Sequence, residues 1–75
     1  MKGTNKESTL QKLGLRIKLL REKLGLTQTE LASRCDMERQ NFNQIEKGKV
    51  NVTVNTLLII ATQLDVSLKT LFDFE

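Results

Sequence analysis

The sequence predicts an all-α fold, a compact bundle of five helices. Apolar residues recur every three or four positions along most of the chain, and one local pattern marks four separate helix starts. No segment alternates apolar and polar residues for long enough to predict a half-buried β-strand. The 75 residues have room for one domain, whose core is so small that a second copy would help to stabilise it.

A first helix is expected from about Thr9 to Leu24. Apolar residues step by three and four along it, which places them on one side of a helix. They are Leu10, Leu13, Ile17, Leu20 and Leu24. Ser8 or Thr9 can cap its beginning, and Gly25 ends it. Residues 1–8 are then expected to form a flexible arm, and residues 9–75 the domain.

Each of the four later helices is expected to begin at a hydrophobic staple. In this pattern one apolar residue directly precedes the capping residue, and a second apolar residue follows four positions after the cap. The capping positions are Thr27, Glu38, Thr53 and Ser67. Thr27 also has Glu30 three residues later, which completes a capping box. The segment from Val50 to Val54 is rich in β-branched residues and could instead be briefly extended.

Charge is distributed unevenly along the chain, whose net charge is +3. Seven of the twelve Lys and Arg residues lie in residues 1–25, where only Glu7 and Glu22 oppose them, whereas residues 50–75 are acidic overall. A basic end suggests a polyanionic partner such as nucleic acid, although a solvated lysine-rich face fits the same counts.

Several functional classes are not supported by the residues. The chain has no His, no Gly-rich loop and no metal-ligand spacing, so we expect neither an enzyme nor a metal or cofactor site. Cys35 lies four residues after Leu31 on an apolar stripe and is expected in the core. No apolar run is long enough for a signal peptide or a membrane span, and the single Cys fits a reducing cytoplasm.

The second and third helices are expected to form a helix-turn-helix. Only Asp36, Met37 and Glu38 separate them, which is too few residues for an antiparallel hairpin, so the two helices must cross steeply. In this geometry the second member can protrude and lie in the major groove of duplex DNA.

The outer face of the third helix carries side chains suited to base edges. The helical period turns Phe42, Ile45 and the stem of Glu46 inward. Gln and Asn can pair bidentately with adenine, and Arg with guanine. The expected base-contacting residues are Arg39, Gln40, Asn41, Asn43 and Gln44. The alternative is an ordinary polar surface helix, for which Glu, Lys and Ala would be the stronger helix formers.

These residues resemble the Cro and repressor-like helix-turn-helix proteins of bacteria and phages, often called the XRE type. The resemblance runs from about Leu13 to Phe72 and rests on LREKLGLTQTELA at 20–32, FNQIEKGK at 42–49 and LLIIATQLDVSLKTLF at 57–72. It implies a lambda-repressor-like bundle of five helices, a dimer and binding to a partly palindromic operator.

The resemblance also implies roles for single residues. Gln40 and Asn41 match the family's principal base-contacting positions. Residues matching or adjoining its phosphate-contacting positions are Thr27, Gln28, Lys47, Lys49 and Asn51. Arg21 and Glu46 match a pair that forms an ion bridge between the first and third helices. An inward-facing carboxylate needs such a partner, so the chemistry points to the same pairing.

The chain departs from the family pattern at four positions. Asp36 and Asp65 occupy helix-to-helix turns where the family usually has Gly, and Asp tolerates the left-handed conformation better than most residues. Glu38 occupies the cap position of the third helix, where Ser, Thr or Asp would be better. Ile59 is apolar where the family is commonly polar, which suggests contact with another chain.

The C-terminal segment has more apolar side chains than one short helix can bury in so small a domain. The last helix is therefore expected to join two copies in a two-fold dimer. The expected contact residues are Ile59, Leu68, Phe72 and Phe74. Such a dimer would place two third helices about 34–36 Å apart, one turn of duplex. The alternative is that these side chains close the core of one copy.

Taken together, these features predict a sequence-specific, repressor-like transcriptional regulator that binds double-stranded DNA as a homodimer in the cytoplasm, at the nucleoid. One alternative is an antitoxin that also binds DNA and holds a toxin or effector protein with its tail or arm. The other is a pure protein-interaction bundle, which would be expected to carry apolar anchors around Gln40, where the sequence has amides.

Overall fold

The computed structural model describes residues 6–74, apart from the side chain of Glu7. Within that range the chain folds into five helices and no strand, as the periodicity predicted. The helices are α1 (Lys6–Lys23), α2 (Gln28–Arg34), α3 (Arg39–Glu46), α4 (Val54–Leu64) and α5 (Leu68–Leu71).

The first helix begins earlier than the sequence predicted. It starts at Lys6 and not at Thr9, so residues 6–8 of the expected arm are helical, and residues 1–5 lie outside the described residues. Lys and Glu are good helix formers, so extending the helix by one turn costs little. The helix ends at Lys23, one residue before the predicted end, and the Leu24 N–H donates to the Arg21 carbonyl in a tight final turn.

Three of the four predicted caps form side-chain hydrogen bonds. The Thr27, Thr53 and Ser67 hydroxyls accept from backbone N–H groups three residues later, at 3.0, 3.1 and 3.2 Å. At Thr27 the backbone N–H donates in return to Glu30 Oε1 at 2.8 Å, which completes the predicted capping box and lowers the pKa of the Glu30 carboxyl. The fourth cap, Glu38, makes no side-chain hydrogen bond to α3.

The core is a single cluster contributed by all five helices. Its fully buried large side chains are Phe42, Ile17, Leu31, Ile60 and Leu71. Cys35 lies in the same cluster as predicted, and burial raises the pKa of its thiol. Arg16 ties α1 to α5, because its Nε donates to the Thr70 carbonyl at 3.0 Å.

A glycine that the sequence analysis did not single out sets the distance between α1 and α3. Gly14 lies in the middle of α1, and a Cβ built on it would collide with the Glu46 carbonyl oxygen and lie 2.5 Å from that of Ile45. Both atoms belong to the backbone and cannot rotate away. Only glycine therefore lets the last turn of α3 approach α1 so closely.

The turns at Asp36 and Asp65 form without glycine. Asp36 has φ 55° and Asp65 has φ 57°, so both occupy the left-handed region, as the comparison with the family pattern predicted. Asp65 ends α4, and its N–H and that of Val66 donate to the carbonyls of Thr62 and Ala61. The turns are complete, but each holds an L-residue in a costly conformation.

Replacing Asp65 with Gly is expected to raise the free energy of unfolding by about 0.5–1 kcal/mol, because relief of the left-handed strain exceeds the added freedom of the unfolded chain. Thermal and denaturant unfolding would measure the change. Asp65→Ala removes the same charge but retains Cβ, and it should destabilise the protein. If both variants shifted stability in the same direction, charge and not backbone conformation would be responsible.

Candidate nucleic-acid interface

A short turn places α3 against α2. It comprises residues 35–38, and the Met37 N–H donates to the Ala32 carbonyl at 2.9 Å while Asp36 adopts its left-handed conformation. Leu31 and Ala32 of α2 and Phe42 of α3 are buried beneath it. Because both helices contribute to the same core, α3 is fixed along one side and leaves the other side to solvent.

The solvent side of α3 is the amide-rich face that the sequence predicted. Phe42, Ile45 and Glu46 are buried. The first three residues of the helix, Arg39, Gln40 and Asn41, are exposed, and Asn43 and Gln44 are half-buried. No carboxylate occurs from Arg39 to Ile45. The five residues expected to contact bases therefore lie on one short helix, with three of them accessible.

A buried ion pair joins this helix to α1, between the residues expected to pair. Arg21 Nε donates to Glu46 Oε2 at 2.7 Å, and Nη2 donates to Oε1 at 3.1 Å. The third nitrogen, Nη1, donates to the Leu26 carbonyl at 2.7 Å. The side chains are only 9% and 2% exposed, and hydrogen bonding to Glu46 raises the pKa of Arg21. The pair thus connects α1, the α1–α2 loop and the end of α3.

Gln28 extends this network to the groove side of α3. Its Nε2 donates to Glu46 Oε1 at 2.8 Å and to Asn43 Oδ1 at 3.0 Å. Sequence reasoning placed Gln28 at the DNA as a phosphate contact, through its likeness to the family's position and because the start of a helix favours a phosphate. In the structure both N–H groups of its amide are used within the chain, one towards the ion pair and one towards the amide-rich face.

The loop after α3 forms a basic edge beside that face. Lys47, Lys49 and Asn51 are exposed, and they line an open cleft together with Lys6 and Gln11 of α1. Gly48 has φ +71°, and a Cβ on it would lie 2.6 Å from the backbone of Gln11, so α1 and the loop are in direct contact. Sequence reasoning missed Lys6 because it assigned residues 1–8 to the arm.

The surface expected to join two copies is partly exposed and partly in the core. Ile59 and Phe72 are 38% and 42% exposed. Leu68 and Phe74 are half-buried and pack against the core, which fits the alternative that these side chains close the core of one copy. The centre of the Phe74 ring lies 6.1 Å from that of Phe72. Leu58, which the sequence analysis did not place in this surface, is 47% exposed.

A family model for helix-turn-helix proteins matches residues 17–71, which run from within α1 to the end of α5 and include the Arg21–Glu46 pair and the whole of α2 and α3. The chain belongs to the helix-turn-helix family. This confirms the resemblance to the XRE type and the fold that it implied. None of the helices in the described part of this helix-turn-helix protein has the length and apolarity that a membrane crossing needs.

Two relatives of similar sequence have names that describe control or regulation. Control protein C.MunI from a Mycoplasma species is 38% identical over 55 residues, which cover 73% of this chain and 74% of that protein. The HTH-type transcriptional regulator PrpR of Mycobacterium tuberculosis is 37% identical over 54 residues, and the match spans only 11% of PrpR. The similarity therefore extends from small control proteins to one segment of a much longer regulator.

Solved structures share the fold over most of its length. The restriction-modification controller C.AhdI from Aeromonas hydrophila superposes with a TM-score of 0.84 at 35% identity, covering 87% of this chain and 98% of that one. The biofilm regulator SinR, solved in complex with DNA, superposes with a TM-score of 0.75 at 32% identity, covering 81% and 98%.

Removing the cation of the buried pair is expected to destabilise the protein. Arg21→Ala should lower the free energy of unfolding by about 3–5 kcal/mol, because it leaves the Glu46 carboxylate buried without its cation. Denaturant unfolding followed by circular dichroism would measure the loss. Lys18→Ala, which removes an exposed cation from the same helix, is the matched control and should change stability by less than about 0.5 kcal/mol.

A double variant separates stranded charge from lost packing. Arg21→Met with Glu46→Leu removes both charges and leaves apolar groups of similar length, so it should recover much of the stability that Arg21→Ala loses. An Arg21→Ala protein that unfolds at the parent's denaturant concentration would contradict the role assigned to the pair.

Proposed function

We propose that this chain is a transcriptional regulator that binds double-stranded DNA sequence-specifically by inserting α3 into the major groove. The observation that carries this proposal is the face of α3, where one Arg and four amides lie on a helix whose opposite side is buried and held to α1 by an ion pair. Such side chains match the donors and acceptors of base edges. The similarity to SinR, solved with DNA, supports it.

Within that face, Gln40 and Asn41 are the leading base readers, flanked by Arg39 and Gln44. They lie in the first turn and on the outward side of α3, where a helix that enters the groove by its N-terminal end meets the bases first. Because the helix is anchored at its C-terminal end by Glu46, these side chains are presented on a rigid support.

Residues beside α3 would set its register on the duplex. We expect Lys47, Lys49 and Asn51 to contact phosphates, because they are exposed beside α3 and line one cleft together with Lys6. Thr27 could add a contact, because its side chain is exposed at the N-terminal end of α2. Phosphate contacts of this kind fix position without reading sequence.

Two copies would bind a partly palindromic operator. We infer a two-fold dimer through Ile59, Leu68, Phe72 and Phe74, because Ile59 and Phe72 leave large apolar areas exposed on a domain of only 75 residues. The likeness to the restriction-modification controller C.AhdI favours control of a restriction-modification system among the roles open to a regulator. Repression, and a toxin or effector protein as a further partner, stay predictions.

Selection of bound sites from random duplexes would test the base-reading role. The parent should enrich one sequence family, and Gln40→Ala or Asn41→Ala should each relax one base position at a cost of about 1–3 kcal/mol in binding free energy. Each loss should be specific to one position, because each side chain contacts one base pair. Equal recovery of all sequences by the parent would refute sequence-specific recognition and favour the protein-interaction alternative.

The matched control removes a phosphate contact. Lys49→Ala should weaken binding to every duplex by a similar factor, and the slope of log affinity against log salt should fall by about one unit. The preferred sequence should stay the same, since a phosphate contact does not read bases.

Sedimentation would test the dimer. The parent should sediment as a dimer at micromolar concentration, and Phe72→Glu should sediment as a monomer, because a charge would be buried between copies. Leu15→Glu places the same charge on an equally apolar, 54% exposed site of α1 and should leave the dimer intact. A parent that remains monomeric at high concentration would rule the dimer out.

A further inference from the structure

A cleft of about 390 Å³ opens between the second half of α1 and the turn that joins α4 to α5. Its α1 residues are Arg16, Leu20 and Lys23. The helical period places these three on a different side of α1 from Gly14 and Arg21, which contact α3. The far side of the cleft comes from the end of α4, the following turn and α5. A molecule held in this cleft would therefore leave the amide-rich face of α3 open.

Much of the cleft is lined by aliphatic side chains. These are Leu20, Leu24, Leu64 and Val66. Leu64 is buried, and Leu20 and Val66 are half-buried against the core, but Leu24 is 53% exposed. The sequence analysis placed Leu24 on the inward stripe of α1, whereas the helix ends one residue before it. An apolar group in the cleft would remove this leucine from water, which is favourable.

Arg16 brings a fixed cation to the same cleft. Its Nε donates to the Thr70 carbonyl at 3.0 Å, and its Nη1 and Nη2 make no hydrogen bond to the described residues. Both terminal nitrogens reach solvent, because no buried side-chain nitrogen within residues 6–74 lacks a partner. A planar guanidinium that is held through Nε can offer its two terminal nitrogens side by side to a carboxylate.

Two other charged residues of the lining limit the charge of a ligand. Lys23 adds an exposed cation, and Asp65 adds a carboxylate that forms no ion pair with the described residues. With Arg16, the lining carries two positive charges and one negative charge. A single negative charge on the ligand matches this balance, whereas a phosphate monoester would bring about two negative charges next to Asp65.

We propose that this cleft binds a small monocarboxylic acid with an apolar tail. Arg16 Nη1 and Nη2 donate to the carboxylate, and the tail lies against Leu20, Leu24 and Val66. The cleft falls within the range of about 300–1,000 Å³ that is usual for small-molecule sites, and a few polar groups beside an apolar lining are typical of such sites. Binding of the acid and binding of DNA by α3 are independent, because the two sites lie on different sides of α1.

Titration of the whole, isotope-labelled chain with octanoate, followed in amide NMR spectra, would test the site. The amides of Leu24, Val66 and Thr70 should shift and saturate together, while those of Gln40 and Asn41 stay in place. Acetate has the carboxylate without the tail, and octanol has the tail without the charge. Each should bind at least about tenfold more weakly than octanoate, because each lacks one half of the recognition.

Variants that act in opposite directions separate recognition from loss of folding. Arg16→Gln should weaken octanoate binding about tenfold, because it removes charged donors. Asp65→Asn removes a nearby negative charge, keeps a residue type that tolerates the left-handed turn, and should tighten binding about twofold. Leu24→Ala should weaken octanoate binding about threefold and leave acetate binding unchanged. Lys18→Ala removes an exposed cation of α1 outside the cleft and, as the matched control, should change neither affinity.

Several outcomes would overturn the proposal. Octanoate that shifts no amide, or that binds the parent and Arg16→Gln equally, would show that the cleft is not a site for acids. Shifts centred on Ile59 and Phe72 would assign the acid to the surface of the inferred dimer. Equal affinities for octanoate and acetate would show that the aliphatic lining takes no part. Should Arg16→Gln fail to fold, unchanged affinity in both Asp65→Asn and Leu24→Ala would refute the site.

Discussion

The buried pair of Arg21 and Glu46 is the interaction on which the rest of the interface depends. Removing two charges from water is costly, and a salt bridge of this kind contributes little net stability over a well-packed apolar pair. The ion pair instead determines the relative position of the segments that it joins. The two parallel bonds to Glu46 and the third to the Leu26 carbonyl fix three separate segments relative to one another. The amide-rich helix is then held at its C-terminal end while its N-terminal end is exposed.

That arrangement explains why the polar face of α3 can be both exposed and ordered. Surface amides normally sample several rotamers and pay an entropy cost on binding. Here Gln28 donates hydrogen bonds to the Glu46 carboxylate and to Asn43 Oδ1. The Asn43 amide is therefore held in one orientation. The exposed side chains at the front of the helix have no such tether among the described residues. The face thus combines a pre-oriented part near α2 with an adaptable part at its tip.

Local chemistry made much of the fold predictable from sequence, and long-range contacts account for what it missed. Apolar period and capping residues such as Thr27 and Thr53 act within one turn, so they marked the helices reliably. The start of α1 was missed because ordinary helix formers at Lys6 extend a helix without any stop or start signal. Gly14 matters only through its close approach to the carbonyls of Ile45 and Glu46, far along the sequence, which no local pattern reveals.

In the candidate site, too, some features follow from local sequence pattern and others depend on long-range contacts. Which side chains face outward on α3 follows from the helical period, so Gln40 and Asn41 were accessible to sequence reasoning. Which end of the Asn43 amide faces outward depends on its hydrogen bond with Gln28 of α2, which no local pattern reveals. The exposure of Ile59 was predicted because the family is commonly polar at that position. The partial burial of Leu68 and Phe74 depends instead on how the C-terminal segment packs on the core.

The contact at Gly14 has a consequence for how this scaffold could change over time. The close approach there is between backbone atoms, so it does not involve the side chains at the exposed front of α3. Residues 39, 40 and 41 could therefore be exchanged without moving the helix that carries them. Under the proposed function, a lineage or a designer could vary the DNA sequence that is read while the position of the helix stays constant, because the side chains at its front and the backbone atoms that place it are different atoms of the same eight residues.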